Sequence, residues 1–368
     1  MSASNRDNPS LADLDGDGDV EIVVGAHVFD RAGHRLWAGT GGQAYQTQRN
    51  NQIVGGAISV VADVDLDGLQ EIVTGNTLYR FDGTIAWQRP ETDGYPAVVN
   101  ADSDPQAEIV VVARGFVRLH DTDGTLLWGP LEMPGSDPES GGPPAIGDLD
   151  GDGEPEIVVA GSDILWALHL DGSALWQAST RDYSSSQTGA TLFDFDGDGA
   201  YEVVYRDERR LRIYRGLDGD VHFEHILSST TMVEMPVVAD VDRDGNAEIL
   251  VTSDHAWDYP VPGGERTGGL FVIGDAYDNW VRARPIWNQH AYAIDNVTTS
   301  AGIPAHPAWG WLEHETFRAN AGPTAIESAG TDVTAGRLVV DGSALPLVRA
   351  TVRIGNAGPN PIATGSTV

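Results

Sequence analysis

Six copies of one acidic string recur along the chain, and a repeat of that kind decides the fold before any single residue is weighed. Five copies are close variants: LADLDGDGDVEIVVG from Leu11, VADVDLDGLQEIVTG from Val61, IGDLDGDGEPEIVVAG from Ile146, LFDFDGDGAYEVVY from Leu192 and VADVDRDGNAEILVTS from Val238. A looser sixth, VVNADSDPQAEIVVVA, starts at Val98. Their first acidic positions are 13, 63, 100, 148, 194 and 240, giving spacings of 50, 37, 48, 46 and 46 residues. That is the length of one four-stranded blade of a β-propeller.

Each string lies between a short apolar stretch and a β-branched run such as EIVVG, too short for a helix, which reads as strand, loop and buried strand. Two more short runs joined by Asp-Gly or similar turns complete each unit: HVFDRAGHRLW, TLYRFDGTIAW, VRLHDTDGTLLW, LWALHLDGSALW, LRIYRGLDGDVHF and LFVIGDAYDNWV. The expected fold is all-β, a propeller with six recognisable four-stranded blades over about residues 9–38, 57–90, 95–129, 143–178, 188–224 and 234–290. Trp37, Trp87, Trp128 and Trp176 hold one position of the blade and are expected to pack between neighbouring blades.

From Arg284 the pattern changes to RPIWNQHAYAIDNV and then a Pro-rich stretch with Trp309 and Trp311. Residues 291–320 are read as a cap or a closing blade without calcium, so the blade count is six or seven and the propeller occupies 1–320. His290, His306 and His314 lie here beside Trp287, but their spacing fits no zinc pattern, and a packed cap is expected. A small-residue linker, 321–330, leads to a segment in which Val348, Ala350, Val352 and Ile354 alternate with polar neighbours. Residues 331–368 are read as the start of an immunoglobulin-like β domain.

The acidic strings carry the chemistry. In the first, Asp13, Asp15, Asp17 and Glu21 stand at positions 1, 3, 5 and 9, Gly18 permits the turn, and Asp19 offers its carbonyl at position 7. Calcium takes six to eight hard oxygen ligands, and alternate residues of a tight loop can aim them inward together. The same places are held by Asp63, Asp65, Asp67, Leu69 and Glu71; by Asp148, Asp150, Asp152, Glu154 and Glu156; by Asp194, Asp196, Asp198, Ala200 and Glu202; and by Asp240, Asp242, Asp244, Asn246 and Glu248. The remaining loop has Asn100, Asp102, Asp104 and Glu108, with Pro105 for the glycine, and is expected to bind weakly or not at all. An EF-hand is excluded because its bidentate Glu falls at position 12 between helices, whereas here it falls at 9 between strands. The expected cofactor is therefore Ca²⁺, in five strong sites and a sixth weaker one.

Composition narrows the partners. Asp and Glu number 55 against 22 Lys plus Arg, all of them Arg, for a formal net charge of −33. Nucleic acid and anionic membranes repel such a chain. Six divalent ions would bring the charge to about −21, and with no cysteine to form disulfides, calcium is the available staple. The polar start of the chain is no signal peptide and the apolar runs are short, so a soluble protein outside the cytoplasm is expected, its export signal not present in this chain.

These residues resemble the FG-GAP/VCBS repeat family, found in integrin α-subunit heads and bacterial surface proteins, over about residues 9–290. The resemblance implies structural calcium at Asp13, Asp15, Asp17, Glu21 and their counterparts, although the family often has Asp where this chain has Glu at position 9. The tail, with its Gly355-Asn356-Ala357-Gly358 turn, resembles the start of a CARDB-type adhesion module. The reading that follows is a secreted or cell-surface binding and adhesion module for a glycan or protein, without catalysis. The alternatives are a calcium-dependent polysaccharide lyase or hydrolase and a structural stalk of a surface assembly. Long connections at 39–56, 130–143, 178–189 and 253–268 all leave the blades on the face opposite calcium. Tyr45, Arg49, Asn51, Arg181, Tyr183, Trp257, Asp258 and Tyr259 on them are the candidate ligand-binding residues.

Overall fold

The computed structural model describes residues 7–320, except 46, 49–51, 54–55, 138, 232–233 and 255–267, together with strands 333–344 and 347–356 of the tail. Among the described residues nearly all regular secondary structure is β-strand. Five four-stranded antiparallel sheets follow one another, with strands paired in chain order, over residues 10–38, 60–88, 95–132, 145–179 and 191–226. A sixth spans Val237–Ala239, Glu248–Ser253 and Gly269–Ile273. These are the blades of a β-propeller; the first five lie within three residues of the repeat boundaries read from sequence, while the strands of the sixth end at Ile273 and not near 290.

The sixth blade differs from the rest. Where a fourth strand is expected, the chain turns at Asp275–Asp278 and crosses to blade five, donating Val281 N–H to the Phe195 carbonyl at 3.0 Å. Trp280 lies on the Phe195 ring, centroids 4.6 Å apart. Among the described residues this blade has three strands.

Within the blades the burial follows the sequence. Second strands such as Glu108–Ala113 and Glu156–Ala160 are buried at every position, as sheets covered on both faces require. Fourth strands alternate and face water. The strand-four tryptophans pack as expected: Trp37 Nε1 donates to the Phe81 carbonyl at 3.0 Å, Trp87 to Thr122 at 2.8 Å and Trp128 to Leu170 at 2.7 Å, and Trp176 donates to Gly216. Each acceptor lies in the outer turn of the next blade. A Cβ on Gly83, at φ +85°, would sit 2.7 Å from the Trp37 ring, so the glycine gives both the left-handed turn and the room for the indole.

Residues 284–320 form a cap, not a further sheet. The segment has one 3₁₀ turn, Ile294–Asn296, and one helical turn, Gly310–Glu313. Its end runs along the inner strands. Phe317 exchanges both backbone hydrogen bonds with Ile146, and Leu192 N–H donates to the Arg318 carbonyl at 3.0 Å. Arg318, 1% exposed, donates to the Ala190 carbonyl and the Thr191 hydroxyl, each at 3.0 Å, and to the His290 carbonyl. Burial without a carboxylate partner pushes its guanidinium down to about 9. Gln289 accepts from Leu11 N–H of blade one at 3.0 Å, and Asn320 donates to the Val238 carbonyl of blade six at 2.8 Å. The cap thus fastens the two ends of the blade series. In the tail, Val333–Ala344 and Leu347–Asn356 pair as an antiparallel hairpin.

Candidate metal centres in the six loops

The acidic strings occupy the connection between the first two strands of each blade, and one hydrogen-bond pattern shapes them all. The position-3 carboxylate accepts from the backbone N–H of position 5, at 3.3 Å for Asp15, 3.2 Å for Asp65 and 2.8 Å for Asp102. The position-5 carboxylate accepts from position 7, at 2.7–3.0 Å across the six loops. One oxygen of the position-9 Glu accepts from the N–H of position 2, in all six loops, at 2.5–3.1 Å. In the five glycine-bearing loops the position-1 Asp also accepts from the position-6 glycine at 2.8–3.2 Å. These are Asx-type turns linked end to end, which is why alternate residues must be Asp.

In loops one, four and five both oxygens of the position-1 Asp accept loop N–H groups, whereas loops two, three and six keep one oxygen free of them. Asp63 Oδ1, Asn100 Oδ1, Glu108 Oε1 and Asp240 Oδ1 are buried without any hydrogen-bond partner. Three of these stand at position 1, in loops two, three and six, and a buried oxygen without a hydrogen-bond partner is costly unless a cation or donor meets it. Ligand oxygens of Asp13, Asp15 and Asp17 lie within 4.8 Å of one another, as do those of Asp63, Asp65 and Glu71; of Asp102, Asp104 and Glu108; and of Asp148, Asp150 and Asp152. The residues fit a hard divalent cation.

The electrostatics agree. Burial, followed by the neighbouring aspartates, pushes the Glu71 carboxyl up to about 8; Glu108, Glu156, Glu202 and Glu248 are pushed up to about 7, with burial again the largest cause. The loops resist holding their full negative charge alone.

The third loop departs from the other five in one link. Pro105 removes the N–H that would bond position 1, yet the other three links persist. Asp121, in the outer turn of the same blade, adds its charge to those of Asp102 and Asp104 in raising the Glu108 carboxyl. That turn position is equivalent in five blades, because Asp30, Arg80, Asp121, His169 and Arg215 each donate the backbone N–H that closes the turn, to His34, Thr84, Thr125, Ser173 and Asp220 respectively. Sequence reasoning passed over these residues, although the first four share a signal: each stands seven places before the strand-four tryptophan.

The cap reaches the same face. Trp309 Nε1 donates to Asp63 Oδ2 at 3.4 Å, Trp311 Nε1 donates to the Pro105 carbonyl at 3.3 Å, and the His306 ring lies against Gly16. His314 instead pairs with Asp295 at 3.5 Å, and His290 serves through its backbone carbonyl. The three histidines do not form one cluster.

On the opposite face, Tyr45 lines a polar cleft of about 280 Å³ between blades one and two, with Thr40, Gln43, Asn76, Gln88 and Asp93. Arg181 and Tyr183 lie between blades four and five, the guanidinium 4.7 Å from the ring centroid and the tyrosine 53% exposed. The two places are separate, and Arg181 and Tyr183 do not line the Tyr45 cleft. Arg49, Asn51, Trp257, Asp258 and Tyr259 lie outside the described residues.

Residues 194–251, from the fifth acidic loop into the sixth blade, match the FG-GAP-like repeat family. No curated protein matches the sequence. Among solved structures, the V. cholerae biofilm matrix protein Bap1 is similar at a TM-score of 0.69 and 19% identity, over 86% of this chain and 77% of that one. The likeness is one of fold. Also similar are the exotype rhamnogalacturonan lyase YesX, with a TM-score of 0.44, 20% identity and coverage of 67% and 44%, and an Agrocybe aegerita lectin recognising terminal N-acetylglucosamine, with 0.41, 16%, and 73% and 80%. No helix among the described residues is long and apolar enough to cross a membrane.

Proposed function

We propose that the protein is a calcium-binding β-propeller that works outside the cell or at its surface as a binding and adhesion module. Calcium holds the loops on one face, and a glycan or protein ligand is taken up on the other. The observation that carries the calcium half is the buried, unpartnered position-1 oxygen found in register in loops two, three and six, beside the clustered carboxylates of the other loops. The fold likeness to a biofilm matrix protein and the FG-GAP-like repeat support the extracellular setting.

The ligand half rests on the cleft that holds Tyr45 and on the exposed Arg181–Tyr183 pair. Both combine an aromatic face with side-chain amides, hydroxyls or charges, the groups that meet sugars and polar protein surfaces. Calcium in this reading is structural, and no catalytic step is assigned. Titration calorimetry of chelator-stripped protein tests the first half, with up to six equivalents of calcium expected and none refuting it. A glycan array probed with and without calcium tests the second; retention of a glycan that also releases reducing or unsaturated ends would move the protein to the enzymes.

A further inference from the structure

The fourth loop differs from its siblings in one donor atom. His169 occupies the outer-turn position that Asp30, Arg80, Asp121 and Arg215 hold in the other blades, and its N–H bonds the Ser173 carbonyl at 2.9 Å in the same way. Its Nδ1 lies 3.1 Å from Glu156 Oε1. Ligand atoms of Asp150, Glu156 and His169 all fall within 4.8 Å of one another.

That geometry suits one ion shared by the three side chains. Two ligands each about 2.1 Å from a zinc ion stand about 2.9–3.4 Å apart for coordination angles between a right angle and the tetrahedral value. The observed 3.1 Å falls inside that range. Glu156 is 1% exposed and cannot swing away, because its Oε2 accepts from Leu149 N–H at 2.8 Å. The imidazole is partly exposed at the wall of an open cavity of about 480 Å³ that also receives Asp152, Glu154 and Asp171, which gives an ion an acidic path of entry.

We propose that the fourth loop is a mixed nitrogen–oxygen site in which His169, Glu156 and Asp150 bind a divalent transition ion of the zinc class in preference to calcium. Imidazole is a good ligand for zinc and a poor one for calcium, whose sites are built of oxygen. The inference rests on the loops being metal sites at all. It assigns one of them to a different metal.

Zinc is the probe. Chelator-stripped full chain is equilibrated with calcium in excess and a limiting series of zinc concentrations, and both bound metals are counted. The wild type is expected to take up one zinc more than H169A or H169Q and to bind one calcium fewer. H169Q keeps a hydrogen-bonding group beside Glu156 but lacks the imidazole, so it is expected to keep its thermal stability in calcium while its zinc affinity falls at least about tenfold. Cobalt in place of zinc should give visible absorption in the wild type that both variants lose. Equal zinc uptake by wild type and H169Q, as from exposed histidines elsewhere, overturns the proposal, and so does calcium filling the loops while no zinc binds. Failure of both metals to bind would overturn the calcium reading along with it.

Discussion

Glu108 offers a test in which the sign of a mutational effect should change with the medium. The residue is fully buried; one carboxylate oxygen takes the Ala101 N–H and the other has no partner. Substitution E108Q keeps the size and an oxygen acceptor for Ala101 but removes the charge. In calcium at about 100 times its dissociation constant, an occupied site contributes about 2.7 kcal/mol, so loss of that site should destabilise the protein by about that amount. For a chain of this size the midpoint should fall by about 3–4 °C. In chelator the balance reverses. Burial and the charges of Asp102, Asp104 and Asp121 already oppose ionisation, pushing the carboxyl up to about 7, so at pH 8 a neutral side chain relieves a cost. E108Q should then be neutral or stabilising. Thermal unfolding of both proteins at pH 8, with calcium and with chelator, reads the comparison. An equal loss in both media would refute the argument, because it would make Glu108 a structural hydrogen-bond acceptor whose second oxygen serves no ion.

Three further outcomes are expected. W309F removes the indole donor to Asp63 and should weaken one calcium site by up to about tenfold in calorimetry while the other loops keep their affinity. D182A should cost about 3 kcal/mol or more in urea unfolding, because the buried Asp182 carboxylate accepts from the N–H groups of Ser185, Gln187 and Thr188 and from the hydroxyls of Ser185 and Thr231; a loss under about 1 kcal/mol would contradict the network. Asp93 accepts from Gln43 and Gly75 N–H groups, yet burial outweighs these bonds and pushes its carboxyl up to about 6. A raised folded value means that the native state holds the proton more tightly than the unfolded chain. Its contribution is therefore complete below about pH 4 and lost as pH rises through about 6. D93N should flatten that part of a stability–pH profile measured in chelator, and an unchanged slope would show that other groups set it.

What could be read from sequence was what depends on neighbours along the chain. The Asx turns need Asp at alternate positions and a left-handed residue among them, so the loops announce themselves locally. The tryptophans were legible for a related reason: each repeats at a fixed distance from its own turn, even though its partner, such as Phe81 for Trp37, belongs to the next blade. The loop at Asn100 was harder. Pro105 removes a link that can be read from sequence, but the charge of Asp121 beside Glu108 comes from a turn that only the blade's pairing brings near. His169 stayed hidden in the same way, because thirteen residues separate it from Glu156 and no string motif joins them.

The cap was least legible, since nothing periodic marks it, and its placement changes what the calcium loops do. Gln289 and Asn320 fasten the first and sixth blades, a task that a propeller must otherwise give to a shared strand or to packing at the seam. The same segment touches loop one through His306, loop two through Trp309 and loop three through Trp311. Asp63 is the joint: Oδ2 takes the Trp309 and Gly68 N–H groups, while the buried Oδ1 is left for an ion. Two donors on one oxygen fix the direction of the other, so a seated cap prepares the site in loop two. By reciprocity, an ion that favours this carboxylate geometry favours the seated cap to the same extent in free energy. On the proposed calcium reading the ion would therefore stabilise the clasp between the first and sixth blades as well as neutralise crowded carboxylates, and its removal should loosen the seam between blades six and one before the interior of blades three and four.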